Sequence, residues 1–211
     1  MVLVAVSKMV QVERLHAAVA AGMTTLGENR VQEAAAKVEA LPEVTWHLVG
    51  HLQGNKAARA VALFDVIESV DSVELAQRLD RLVAERSGGQ GRHVGRLPVY
   101  LQANVDADPE KSGFAPDALE RSLDVLAALP NLEVRGLMTV GRLTGSPEEA
   151  RTTFATLREL SARLRGTWPG LGPGLSMGMS DDFETAVEEG ATVVRVGRAI
   201  FGERHGHGPS G

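Results

Sequence analysis

The 211-residue chain contains no cysteine. That excludes a disulfide framework, a thiolate nucleophile and a cysteine-ligated metal. No apolar run approaches the roughly 20 residues of a membrane-spanning helix. The start, Met1 to Val6, lacks the basic residues and the length of a secretory leader. There is no basic excess either: the net charge is -5, so the footprint of a nucleic-acid binder is missing. These absences together predict a cytoplasmic protein. Lysine is also scarce. It occurs only at positions 8, 37, 56 and 111 among 22 basic residues, the rest being Arg. Arg meets the general need for positive charge but cannot shed its proton near neutral pH, whereas Lys can and then acts as an amine nucleophile. A lysine at a special position is therefore a functional candidate. Lys37, in a polar helical pattern, reads as a chance occurrence.

What is present is globular: hydrophobic residues make up 44% and charged residues 23%. Strand-like apolar runs alternate with amphipathic stretches. Strands are predicted at Val2–Val6, Thr24–Gly27, Trp46–Val49, Val66–Ser69, Leu97–Asn104 (the longest), Val134–Met138, Leu175–Gly178 and Thr192–Val196. Helices are predicted between them, among them Val12–Ala21 stopped by Gly22, Val73–Arg86 capped by Asp71 or Ser72, Pro116–Leu129 and Pro147–Arg165. Ser87 to Gly91 reads as a surface loop, and residues from about 205 as a frayed tail. Eight strand–helix units imply a parallel sheet closed into a (β/α)₈ barrel, a TIM barrel. The competing architecture is an open doubly wound sheet, but no G-x-G-x-x-G follows the first strand. One domain is expected over residues 1–204, with a tail over 205–211. A helix before the first strand is missing, which predicts exposed apolar surface there.

Barrel active sites lie at the C-terminal ends of the strands. Lys8 ends an apolar strand. Desolvation at a barrel mouth makes such a lysine a Schiff-base nucleophile; the alternative is a lysine snorkelling to solvent. Arg195 is the one charge in the run Thr192 to Gly197. A buried guanidinium needs acceptors, either a bound ligand or a carboxylate such as Glu68. The turns Ser176 to Asp182 and Gly197 to Ala199 follow strands seven and eight, where barrel enzymes hold phosphate. Ser180 offers a hydroxyl there and Gly197 lets an anion approach the backbone; otherwise these are an ordinary cap and a tight turn. An amine, a buried Arg and an anion cradle in one mouth suggest a phosphorylated aldehyde, and pyridoxal phosphate fits. An Arg at the ring nitrogen cannot give it a proton, which argues against broad carbanion chemistry. His47 and His51 lack a third ligand for a metal. Glu28, Asn29 and Arg30 line the mouth or cap the next helix. Lys111 to Phe114 covers the pocket or turns the chain. Asp181 and Asp182 complement a helix N-terminus.

These residues resemble a known family. The segments Leu3–Lys8, Leu26–Glu33, Trp46–Lys56, Lys111–Phe114, Gly136–Thr139, Leu175–Asp182 and Val194–Gly202 closely resemble, in order and across nearly the whole chain, the pyridoxal phosphate homeostasis protein family. The resemblance implies a fold like the N-terminal barrel of alanine racemase. It implies a Schiff base on Lys8, Arg195 at the pyridine nitrogen, and phosphate contacts from Ser180, Gly197 and Arg198, with Asn29 and Met177 as further pocket residues. Position 198 is usually a small hydroxyl residue in that family; here the backbone N–H is expected to serve, with the Arg198 side chain adding charge or swinging outward.

The implied function is binding and release of pyridoxal phosphate in intracellular homeostasis of that cofactor, as a carrier or buffer without turnover. Apo forms of pyridoxal phosphate enzymes are the implied partners, and a monomer is the default. Racemisation needs a second acid/base opposite the first. The single tyrosine, Tyr100, is expected early in strand five, away from the mouth. Two alternatives stand beside this reading: a pyridoxal phosphate-dependent amino-acid racemase, and a cofactor-free Schiff-base lyase acting on a sugar phosphate.

Overall fold

The computed structural model describes residues 1–86, 92, 95–141 and 146–202. The glycine-rich segment 87–91 and the tail from 205 lie outside the described residues. Eight parallel strands close into a barrel in chain order: β1 (Val2–Val6), β2 (Thr25–Glu28), β3 (Thr45–Leu48), β4 (Val66–Val70), β5 (Leu97–Gln102), β6 (Leu132–Met138), β7 (Gly174–Ser176) and β8 (Val193–Val196). β1 closes the ring on β8, with Val4 opposite Arg195 and Ala5 opposite Val196. The helices of the described residues are α1 (Val12–Ala20), α2 (Val31–Ala40), α3 (Ala57–Leu63), α4 (Val73–Glu85), α5 (Pro116–Arg121), α6 (Leu123–Ala127), α7 (Pro147–Thr167), α8 (Phe183–Glu188) and α9 (Arg198–Phe201). None is long and apolar enough to cross a membrane.

Local chemistry sets the ends of these elements. Gly22, at φ 103, turns the chain out of α1, and the Met23 N–H closes the turn on Ala18 O. Ser72 Oγ accepts from the Leu75 N–H and Ser146 Oγ from the Glu149 N–H, capping α4 and α7. Strand alternation divides the apolar residues into two layers. The larger cluster, with Ala5, Leu26, Trp46, Ile67, Leu137 and Val194, packs the sheet against the helices. The smaller one, Val4, Val66, Tyr100, Met138 and Val193, fills the barrel interior.

Three sequence expectations change. The longest strand is β6, not β5: β5 ends at Gln102, and Phe114 returns to pair with Ala103 just beyond it. The single helix expected over 116–129 is two, broken at Ser122, whose Oγ donates to Ala118 O and competes with the helical ladder. Tyr100 sits in the fourth position of β5 and faces the interior, 7% exposed. At the start of β1, Val2 and Leu3 are exposed.

Candidate functional site

The inward-facing positions carry an ionic network. Arg195, on the same face of β8 as Val193, is 5% exposed. Its Nη2 donates to Thr139 O at 2.7 Å and its Nη1 to Ser176 Oγ at 2.5 Å. Ser176 Oγ in turn donates to Glu68 Oε2 at 2.6 Å, and Glu68 Oε1 lies 2.5 Å from His47 Nδ1. Arg195 Nη1 is 3.7 Å from Glu68 Oε2. A carboxylate therefore does compensate the buried guanidinium, as one of the two sequence readings had it. Burial alone would raise the Glu68 pKa, but hydrogen bonds and charge from His47, Arg195 and Ser176 hold it below the ordinary carboxylate value. Burial pulls the Arg195 pKa down, opposed by Glu68 and Asp182. Tyr100 is pushed up to about 12, first by burial and then by the Glu68 charge.

Lys8 follows β1 by two residues, on the alternation of Val4 and Val6, and is half-buried. It sits in a turn closed by the Val10 N–H on Ser7 O at 2.9 Å, with Met9 at φ 62. β8 ends beside it: an added Cβ on Gly197 would lie 3.2 Å from Val6 O. The Gly197 and Ala199 N–H groups converge on Ser180 Oγ at 3.2 and 3.4 Å. The loops after β7 and β8 thus meet at one point rich in donors. The Arg198 side chain leaves that point and pairs with Asp181 at the rim. Asp182 does not cap α8 with its side chain; its Oδ1 accepts from the Met179 N–H at 2.6 Å.

Two expected pocket residues separate. Asn29 stands at the rim, in the wall of a cleft of about 560 Å³ that also takes in Arg30, Gly50, His51, Gln53 and Lys56. Gly50 is required there, since a Cβ would fall 2.4 Å from Asn29 O. Met177 is fully buried and joins the main apolar cluster, not the polar set. The Lys111–Phe114 segment both turns the chain and reaches the rim: Ser112 Oγ lies 3.3 Å from His51 Nδ1, which lies 2.9 Å from Asp71 Oδ2. Arg30 makes no side-chain cap to α2 and pairs with Glu33. Among the described residues no cluster of three metal-ligating side chains forms.

Sequence reasoning missed two groupings. His47, weighed only as a metal ligand, is the partner of Glu68. The signal was there: Glu68 is a lone charge in an apolar strand, as Arg195 is. Lys37, read as chance, is 8% exposed and pairs with the fully buried Glu28 at 2.5 Å. Glu28 therefore neither lines the mouth nor caps a helix.

Residues 2–205 match the family model of the alanine racemase N-terminal domain. A pyridoxal phosphate homeostasis protein of Aquifex aeolicus is 38% identical over 96% of this chain and 86% of its own. PipY of Synechococcus elongatus, solved with PLP bound, is 43% identical and superposes with a TM-score of 0.86 over 95% of this chain and 92% of that one. An alanine racemase of Clostridium difficile shares the fold at a TM-score of 0.76 and 14% identity, covering 100% of this chain and 56% of its own.

Proposed function

Because the chain belongs to the alanine racemase N-terminal domain family, and within it to the pyridoxal phosphate homeostasis proteins, we propose that it binds pyridoxal phosphate in the barrel mouth and serves intracellular homeostasis of that cofactor. The carrying observation is the convergence of the Gly197 and Ala199 N–H groups at Ser180 beside the end of β1, with Arg195 buried in the same barrel. This donor set fits a phosphorylated pyridine aldehyde: amides and a hydroxyl for the phosphate, a guanidinium for the ring nitrogen, an amine for the aldehyde. When bound, the cofactor supplies an aldehyde that condenses with amines.

Lys8 holds the cofactor through its amine. Arg195 faces the ring nitrogen and leaves it unprotonated. Ser180, Gly197 and the Arg198 N–H hold the phosphate, while the Arg198 side chain stays with Asp181. Asn29 borders the ring from the rim, and Met177 backs the β7 loop from the core. Residues 1–204 form one cofactor-binding domain. The protein acts as a cytoplasmic monomer that hands cofactor to apo-enzymes and has no turnover reaction of its own. Tyr100 supports that last point: buried, with its proton held up to about pH 12, it is a poor second acid/base.

Absorbance tests the assignment. The protein with pyridoxal phosphate is expected to show a band at about 420 nm, as this cofactor chemistry gives. The band disappears in Lys8→Ala; its persistence there would overturn the role of Lys8. Incubation with alanine in deuterated water is expected to give α-proton exchange no faster than free cofactor. Exchange far above that level would favour a racemase.

A further inference from the structure

Outside the interior network the barrel buries a second ionic cluster, and it grips the residue that precedes Lys8. Lys37, on α2, points its Nζ at two acceptors: Glu28 Oε1 at 2.5 Å and Ser7 O at 2.7 Å. Ser7 Oγ donates to the same Glu28 oxygen at 2.7 Å. Ser7 and Glu28 are fully buried and Lys37 nearly so, while Glu28 Oε2 has no hydrogen-bond partner among the described residues. Such a pair is expensive to bury, and well-packed apolar side chains of similar volume are as stable or more so. Packing alone does not account for it. Nor is the use of lysine arbitrary in a chain that otherwise favours Arg. A compact ammonium can address a carbonyl and a carboxylate oxygen from one point, which a planar guanidinium fork does less well.

What the pair holds is the backbone at Ser7. The Ser7 N–H donates to Gly27 O at 2.8 Å, extending β1 along β2. Its side chain is tied to Glu28, and its carbonyl accepts from both Lys37 and the Val10 N–H. The turn this closes, residues 7–10, carries Lys8 and places Met9 at φ 62, a region that side-chain-bearing residues rarely adopt. A turn with that backbone needs outside support, and the ammonium on its first carbonyl supplies it.

We propose that Lys37 and Glu28 are positioning residues for Lys8. They lock the Ser7–Val10 turn so that the Lys8 amine starts from a fixed place at the mouth, and they thereby set how firmly the cofactor is held. This rests on the reading of Lys8 as the cofactor-holding lysine. It goes beyond that reading in giving a buried ion pair, remote from the ligand, control over retention.

Three variants test it, each titrated with pyridoxal phosphate and melted in its cofactor-free form: Ser7→Ala, Lys37→Met, and the double variant Glu28→Leu with Lys37→Met. The double variant removes both charges and is expected to melt near wild type, yet to bind pyridoxal phosphate about tenfold or more weaker, the loss of one charge-assisted hydrogen bond at Ser7 O. Ser7→Ala, which removes one hydroxyl and folds in any case, is expected to bind about threefold weaker. In the cofactor-free protein, loosening the turn exposes the half-buried Lys8 and speeds its acylation by acetic anhydride, relative to Lys56, by about threefold or more. Binding and acylation at wild-type levels in the variants would overturn the proposal and leave the pair a merely structural one. A wild-type protein that takes up no pyridoxal phosphate would instead overturn the function proposed above, and the acylation comparison would still decide whether the pair positions Lys8.

Discussion

Glu68 is the residue on which the barrel interior turns. Its two oxygens take hydrogen bonds from His47 and Ser176, and Ser176 passes the contact on to Arg195. Its folded pKa lies below the ordinary 4.5, so its ionised form is stabilised by folding. That contribution is present above the unfolded value and is lost as pH falls through the folded one. Melting temperature measured from pH 7 downward is therefore expected to fall steeply below about pH 4.5 in the wild type, and less steeply in Glu68→Gln. Removing the partner is worse than neutralising the acid. Arg195→Met leaves a buried carboxylate without its cation and is expected to cost about 3–5 kcal/mol in chemical denaturation. Tyr100 gives the opposite sign. Its pKa is raised from 10.0 to about 12, so the stability tied to its protonated form is whole below pH 10 and is lost as pH rises toward 12. Because Tyr100 is the single tyrosine, ultraviolet titration of the phenol reads this directly, with a midpoint well above that of the unfolded chain.

At the scale of elements, what was legible followed from periodicity and punctuation. All eight strands could be read because β-branched runs alternate with amphipathic stretches, and Gly22, Ser72 and Pro147 mark helix ends by known backbone chemistry. Ser72→Ala is expected to cost about 1 kcal/mol by removing the hydroxyl that accepts from the Leu75 N–H. The break between α5 and α6 was not legible, since no Gly or Pro stands there. A serine back-bonding to Ala118 O is a weak signal in sequence. Lys37 was hidden for a different reason. In α2 it neighbours Val38 on the buried side, with Ala34 one turn before it, but its charge disguises the face it belongs to. Only the position of Glu28 across the β1–β2 edge reveals it. The β6–β7 contact shows the same limit. Gly136, at φ +154, lies where a Cβ would be 1.9 Å from Gly174 O, so Gly136→Ala is expected to disturb the pairing of two barrel strands.

The whole molecule sorts its polar residues by strand parity. Inward positions of β3, β4, β7 and β8 carry His47, Glu68, Ser176 and Arg195; residues past the strand ends carry Lys8, Asn29, Ser180 and Gly197. The sequence displayed the second set well, because active-site residues of a barrel cluster after its strands. It displayed the first set as isolated polar residues whose mutual distances only the closed barrel supplies. A ligand that binds the folded barrel alone must also stabilise it, by about 2.7 kcal/mol at a hundred times its dissociation constant. A rise in melting temperature with pyridoxal phosphate is expected in the wild type and is reduced in Lys8→Ala. The claim that this barrel holds its cofactor on Lys8 is tested most directly by reducing the protein with borohydride in the presence of pyridoxal phosphate and mapping the modified peptide by mass spectrometry. The account predicts a single stable adduct on Lys8; an adduct on Lys37, Lys56 or Lys111 with Lys8 unmodified would contradict it.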